Sequence, residues 1–185
     1  MFCYEPRPCA MNNQISDNFK RSEFTDEIYA VLGRAITIAA RFDASCKALA
    51  RSPFVRIAIA TKAALEESEF EELLSKIQGK YNNLNRAIDS LSLTGTADEI
   101  MTKARECRNE LIHEAAVSSE IGFDHMEEEN IQQFMLYLEI LLLPIIRGDA
   151  LVSAMISTSN DEELSNYPFS KEYESRYINW VMERF

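Results

Sequence analysis

The sequence has few of the residues that make turns. Five glycines and five prolines in 185 positions favour long helices over many tight turns. Cysteine is sparse as well. Cys3, Cys9, Cys46 and Cys107 lack the paired short spacings of a zinc site. Cys46 and Cys107 fall on apolar helix faces and are expected as buried free thiols. No Gly-rich phosphate loop and no metal-ligand cluster is present, so no cofactor is expected. Positive charge is scarce: 19 Lys and Arg stand against 30 Asp and Glu, a net charge of -11. Such a chain repels nucleic acid at long range, which excludes a broad, non-specific nucleic-acid binder. A small basic site within an acidic surface, or a basic protein partner, remains open. Long apolar runs are missing too. The longest, Ile140 to Ile146, is interrupted by Pro144 and is far too short to span a bilayer. Residues 1–13 hold no apolar stretch of a signal peptide. The expectation is a reduced, cytoplasmic protein with no membrane contact.

What is present is helical periodicity. Residues 1–21 have no period and read as an irregular N-terminal arm. Residues 22–157 read as the bundle, and 158–185 as a C-terminal aromatic helix docked on it. The expected fold is all-α, an up-and-down bundle of four to five helices with short additional ones. The first helix is expected from Thr25 to Arg51, with Ser52-Pro53 ending it and starting a second, Phe54 to Glu67. Ile57, Thr61, Ala64 and Leu65 would face the core. Ser68 and Glu71 form a capping box for a third helix. Its seam, Phe70, Leu74, Ile77, Tyr81, Leu84, Ile88 and Leu91, alternates steps of four and three, the pattern of left-handed helix packing. Thr96 and Glu99 form another capping box, ahead of a helix from Ala97 to Val117. Asp124 would cap the next, with Glu127, Glu128 and Glu129 at the positive end of its dipole. Its core face runs from Ile131 through Phe134, Met135, Leu138, Leu141 and Leu142 to Ile145. Gly148 permits a break, a short helix over Asp149 to Ile156 and a polar linker over Ser157 to Ser165. Tyr173, Tyr177, Trp180 and Arg184 would share one face of the last helix. Few basic residues accompany these rings, so docking by aromatics is favoured over base stacking.

One stretch carries polar chemistry: Ala104-Arg105-Glu106-Cys107-Arg108-Asn109-Glu110-Leu111-Ile112-His113-Glu114. Ile100, Ala104, Cys107, Leu111 and Ala115 form its core stripe. At about 100° per residue, Arg108 lies roughly 60° from the stripe centre and His113 roughly 160° away. His113 therefore points away from its own core. Arg108 and His113 are about 140° apart around the axis, with a rise of about 7.5 Å between them. Three readings follow. His113 is an ordinary exposed residue in a polar stripe with Arg105 and Asn109. Or the helix bends and brings Arg108 to His113. Or a second subunit packs on this face, on Ile112 and Ala116, and two copies assemble one site. No helix-turn-helix with a basic recognition helix stands out.

The pattern Arg108-Asn109 followed by His113, with Leu111 and Ile112 before the histidine, resembles the HEPN superfamily. That family is marked by Arg-x4-6-His with a polar residue after the arginine. The resemblance implies a helical homodimer with two motifs facing one cleft, acting as a metal-independent endoribonuclease in toxin or anti-phage defence systems. It implies RNA as substrate and an antitoxin or regulatory protein as a masking partner. Some members of the family are non-catalytic interaction domains. The residue types suit the chemistry. A histidine near neutrality moves protons as general acid or base, the expected role of His113. Arg108 would stabilise the charge of a phosphorane-like transition state. Asn109, one turn before His113, would orient it or the phosphate, and Arg105 would bind substrate.

Overall fold

The computed structural model describes residues 23–123, 126–163 and 169–183. The expected arm at 1–21, the Asp124 cap and Arg184, and the side chain of Ala116, lie outside the described residues. Six α-helices and no strand occur among those described: α1 Glu23–Thr61, α2 Glu67–Gly79, α3 Leu84–Ser90, α4 Thr96–Ile121, α5 Glu128–Ser159 and α6 Lys171–Met182. The protein is an all-α helical bundle. Its core forms where α1, α4 and α5 pack along one another, with Phe42, Met101, Leu111, Leu138, Leu142 and Ile145 fully buried. The apolar face expected over Ile131 to Ile145 is the buried face of α5.

Several features differ from the sequence-based expectation. The first is α1, which runs unbroken through Pro53. Pro53 has no N–H for the carbonyl of Leu49, a loss of about 3 kcal/mol in a helix interior. Burial on both sides offsets it. Leu49 faces the main core and Ala50 is buried beside it in sequence, while Ala58 is buried with Phe70 and Ile77 in a satellite cluster flanked by Phe54, Val55 and Leu65. Of the face expected here, Ile57 is exposed, as are Thr61 and Ala64, and only Leu65 packs.

The second difference is in the long seam, which breaks after Gly79. Lys80 is extended, Tyr81 takes a left-handed φ of 54°, and Asn83 caps α3 by accepting from the Asn85 N–H at 2.8 Å. Arg51 on α1 clasps the turn, donating to the Lys80 carbonyl at 2.7 Å and to Asn82 Oδ1 at 3.3 Å. The seam therefore serves two clusters within one chain: Phe70 and Ile77 the satellite, Leu84 and Ile88 the main core. The capping box of α2 also shifts from Ser68 and Glu71, with Glu69 Oε2 accepting from the Glu66 N–H at 3.0 Å.

The third difference concerns Gly148, which does not break α5. A Cβ there would stand 2.5 Å from the Ala104 Cβ and 2.9 Å from the Phe42 ring. Lacking a side chain, the glycine lets Ala104 of α4 and Phe42 of α1 lie close against the α5 backbone. Because α5 continues through Pro144 and Gly148, it becomes long and apolar enough, by length and composition, to cross a membrane, the one such helix among the described residues. Its buried face, from Ile131 to Val152, packs in the bundle core.

Finally, α6 docks on α1 and α5 through Tyr173, Tyr177, Ile178, Val181 and Met182, whereas Trp180 points outward, 44% exposed. At about 100° per residue the docked residues centre near Val181, from which Trp180 lies about 100° away. Arginines add to the attachment: Arg34 donates to the Val181 carbonyl at 2.9 Å, and Arg147 pairs with Glu174 at 2.7 Å. Arg41 pairs with the buried Asp149 at 3.1 Å and lies over the Tyr177 ring. Burial pushes the Asp149 carboxyl above its ordinary value, opposed by Arg41.

A polar cleft beside the motif helix

The motif helix α4 runs as uninterrupted α-helix from Thr96 to Ile121. Met101, Ala104, Cys107 and Leu111 are buried, while Ile100 and Ala115 at the ends of the expected stripe are half-buried. That orientation turns Arg105, Arg108 and Asn109 toward α1 and the α2–α3 turn. There they line a cleft of about 540 Å³. The opposite wall holds Asp43 and Lys47 of α1 and Asn82, Asn83 and Asn85 of the turn and α3.

Arg108 is largely withdrawn from solvent, its side chain 24% exposed. Its Nη2 pairs with Asp43 Oδ2 at 2.8 Å and its Nη1 donates to Asn109 Oδ1 at 3.2 Å. The other Asp43 oxygen pairs with Lys47, one turn further along α1, at 2.9 Å. Arg105 donates to Asn85 Oδ1, and Asn85 in turn donates to Asp89 at 3.2 Å. Two glutamates around the motif have partners of their own. Glu106 pairs with Lys103 at 3.7 Å, and Glu110 accepts from the Tyr137 hydroxyl at 3.2 Å. Burial and that hydrogen bond push the Tyr137 phenol above its ordinary value. Three cations (Lys47, Arg105, Arg108) thus stand against two carboxylates (Asp43, Glu106) in the cleft, a local positive balance on a chain of net charge -11.

His113 does not join this group. Its side chain is 71% exposed, with Nδ1 3.8 Å from Glu114 Oε1, and it is not among the cleft residues. Among the described residues, no hydrogen bond or ion pair links it to Arg108. The helix therefore brings three of the four expected site residues to one cleft and turns the fourth outward. Ile112, between them, is half-buried.

Sequence reasoning missed Asp43, Lys47 and the three asparagines. One signal was available. Asp43 follows Phe42 at the edge of the core face, half-buried, and a carboxylate there needs a cationic partner. Asn82 and Asn83 gave no periodic signal, because they belong to a turn that the seam concealed, and Asn85 lies in the first turn of the short α3 behind it. Cys46 and Cys107 are buried and free. Burial, reinforced by Asp43, pushes the Cys46 thiol up to about 12, and burial raises Cys107 too. Neither thiol is a nucleophile at neutral pH. Among the described residues, no three His, Cys, Asp or Glu side chains are placed to hold a metal ion. Comparison with protein-family models, with curated proteins and with solved structures finds no match to this chain.

Proposed function

We propose that the protein is an endoribonuclease of HEPN type, active without a metal ion and assembled as a homodimer. The observation that supports it most is the convergence of Arg108, Asn109 and Arg105 on one positively biased cleft of an acidic chain. Phosphate would bind at Arg108, whose paired state with Asp43 keeps the guanidinium in a fixed orientation. His113 faces outward from the same helix, so it would serve the cleft of a second copy. There it would take the proton of a ribose 2′-hydroxyl attacking the adjacent phosphate, or return one to the leaving 5′-oxygen. The products would carry cyclic-phosphate and 5′-hydroxyl ends. In this reading the enzyme belongs to a toxin or defence system and acts in the cytoplasm, with an antitoxin or regulatory protein covering the cleft.

The deciding experiment is RNA cleavage in the presence of a chelator. Wild type should cleave, and His113→Ala and Arg108→Ala should each lower the rate roughly 100-fold or more. Cleavage that persists in both variants removes the reading. A second reading, a non-catalytic dimeric interaction module, is favoured by one observation. The Asp43 carboxylate already occupies Arg108, the state expected of a structural tie. A folded wild type inert toward total RNA and tRNA would select it.

A further inference from the structure

Three side-chain amides line the cleft with their oxygens already engaged. Asn82 Oδ1 accepts from Arg51 at 3.3 Å, Asn83 Oδ1 from the Asn85 N–H at 2.8 Å, and Asn109 Oδ1 from Arg108 at 3.2 Å. The NH2 groups of all three have no acceptor among the described residues. Asn85 is different, since both ends of its amide are used. Arg108 adds a fourth open donor: its Nε is buried and has no partner among the described residues. Left buried without a partner, Arg108 Nε costs roughly 1–3 kcal/mol, whereas the exposed NH2 groups of the three asparagines face solvent and stay free to donate. The carboxylates in the cleft meanwhile stand beside cations, Asp43 Oδ1 without a hydrogen bond of its own. Both Asp43 oxygens face cations, and Glu106 is drawn to Lys103. A wall rich in open donors beside cations fits a ligand with several acceptor oxygens, no donors and negative charge, which is a phosphate group.

We propose that Lys47, Asn82 and Asn83 complete, with Arg108 and Asn109, a binding site for the phosphate of a single-stranded RNA backbone. The site draws on three separate segments, α1, the α2–α3 turn and α4, and Arg51 fixes the turn in place. A volume of about 540 Å³ leaves room for a sugar beside the phosphate. This deepens the ribonuclease reading and rests on it only for the strand that carries the phosphate.

The test is an NMR titration of isotope-labelled wild type with inorganic phosphate and with a short single-stranded DNA, which lacks the 2′-hydroxyl and survives the measurement. Both probes should move the backbone amides around Lys47, Asn82–Asn83 and Arg108–Asn109. Asn83→Asp is the informative variant. Aspartate is as good a helix cap as asparagine, so α3 keeps its start, while an open NH2 becomes a carboxylate oxygen. Affinity for both probes should fall roughly tenfold or more. Unchanged affinity in Asn83→Asp, or shifts that map elsewhere, overturns the site. Phosphate binding without DNA binding overturns the assignment to a polynucleotide backbone. Cleavage assays separate the two ideas. Binding here without cleavage leaves the phosphate site standing and removes the ribonuclease reading. Cleavage with wild-type binding in Asn83→Asp does the reverse.

Discussion

Asp43 decides what the motif arginine can do. Its carboxylate holds Arg108 on one oxygen and Lys47 on the other, so replacing it releases two cations into one cleft. Asp43→Asn should destabilise the fold by roughly 1–3 kcal/mol, since the groups are partly buried. Urea unfolding should show a lower midpoint with an unchanged slope. Asp149 gives a pH signature. Burial raises its folded value above that of the unfolded chain, roughly 3.9. The folded protein therefore binds this proton more readily than the unfolded one. The burden of the ionised buried carboxylate is present at neutral pH and is relieved as the pH falls through the folded value toward the unfolded one. Asp149→Asn should remove that slope. Unfolding measured between neutral pH and about 4 should show wild type gaining on the variant as acid is added. At this scale the sequence was legible where chemistry is local. Arg108, Asn109 and Arg105 were marked by their spacing and do line one cleft. Their partners were not, because Asp43 and Asn82–Asn83 come near them only through the packing of α1 and α3 on α4.

Helix faces were more legible than helix ends. The periodicity of Ile131 to Ile145 located the buried stripe of α5, because burial follows the helical repeat directly. Turn residues misled in both directions. Pro53 and Gly148 suggest breaks, yet α1 and α5 pass through both, since apolar contacts on either side outweigh the local penalty. The steps of the expected seam pass through Gly79 unchanged, and there the chain turns. No periodic pattern announces that Tyr81 will adopt a positive φ. The Gly148 crossing yields a prediction. Gly148→Ala gains about 1 kcal/mol in helix propensity, but its methyl would meet Ala104 and Phe42. Overpacking of this kind costs about 1–3 kcal/mol, so the variant should be less stable than wild type. Pairing it with Ala104→Gly should recover part of the loss. A double-mutant cycle on unfolding free energies should show favourable coupling, and additivity would mean that the crossing relaxes freely.

For the whole molecule, the outward His113 and the inward Arg108 make a dimer testable by mixing. If each site takes its arginine from one copy and its histidine from the other, Arg108→Ala and His113→Ala chains are both inert alone. Random reassociation would regenerate one intact site in each mixed dimer, about a quarter of the wild-type sites. Cleavage should return to about that level, and silence after mixing would place both residues of a working site on one chain. The all-α bundle itself was legible throughout, from sparse turn residues and sustained helical repeats. The proposed dimer has no such repeat behind it, since contacts within one chain account for the apolar repeats. The two interior thiols, meanwhile, supply a stopwatch. Cys46 and Cys107 sit on different helices of the same core, and a thiol-reactive label can meet either one only when its helix lifts away from the others. Pulsed labelling followed by peptide mapping would time the opening of α1 and α4 separately under native conditions. Equal rates would mean that the core opens in a single event, whereas a faster Cys107 would mean that the motif helix is released before the rest.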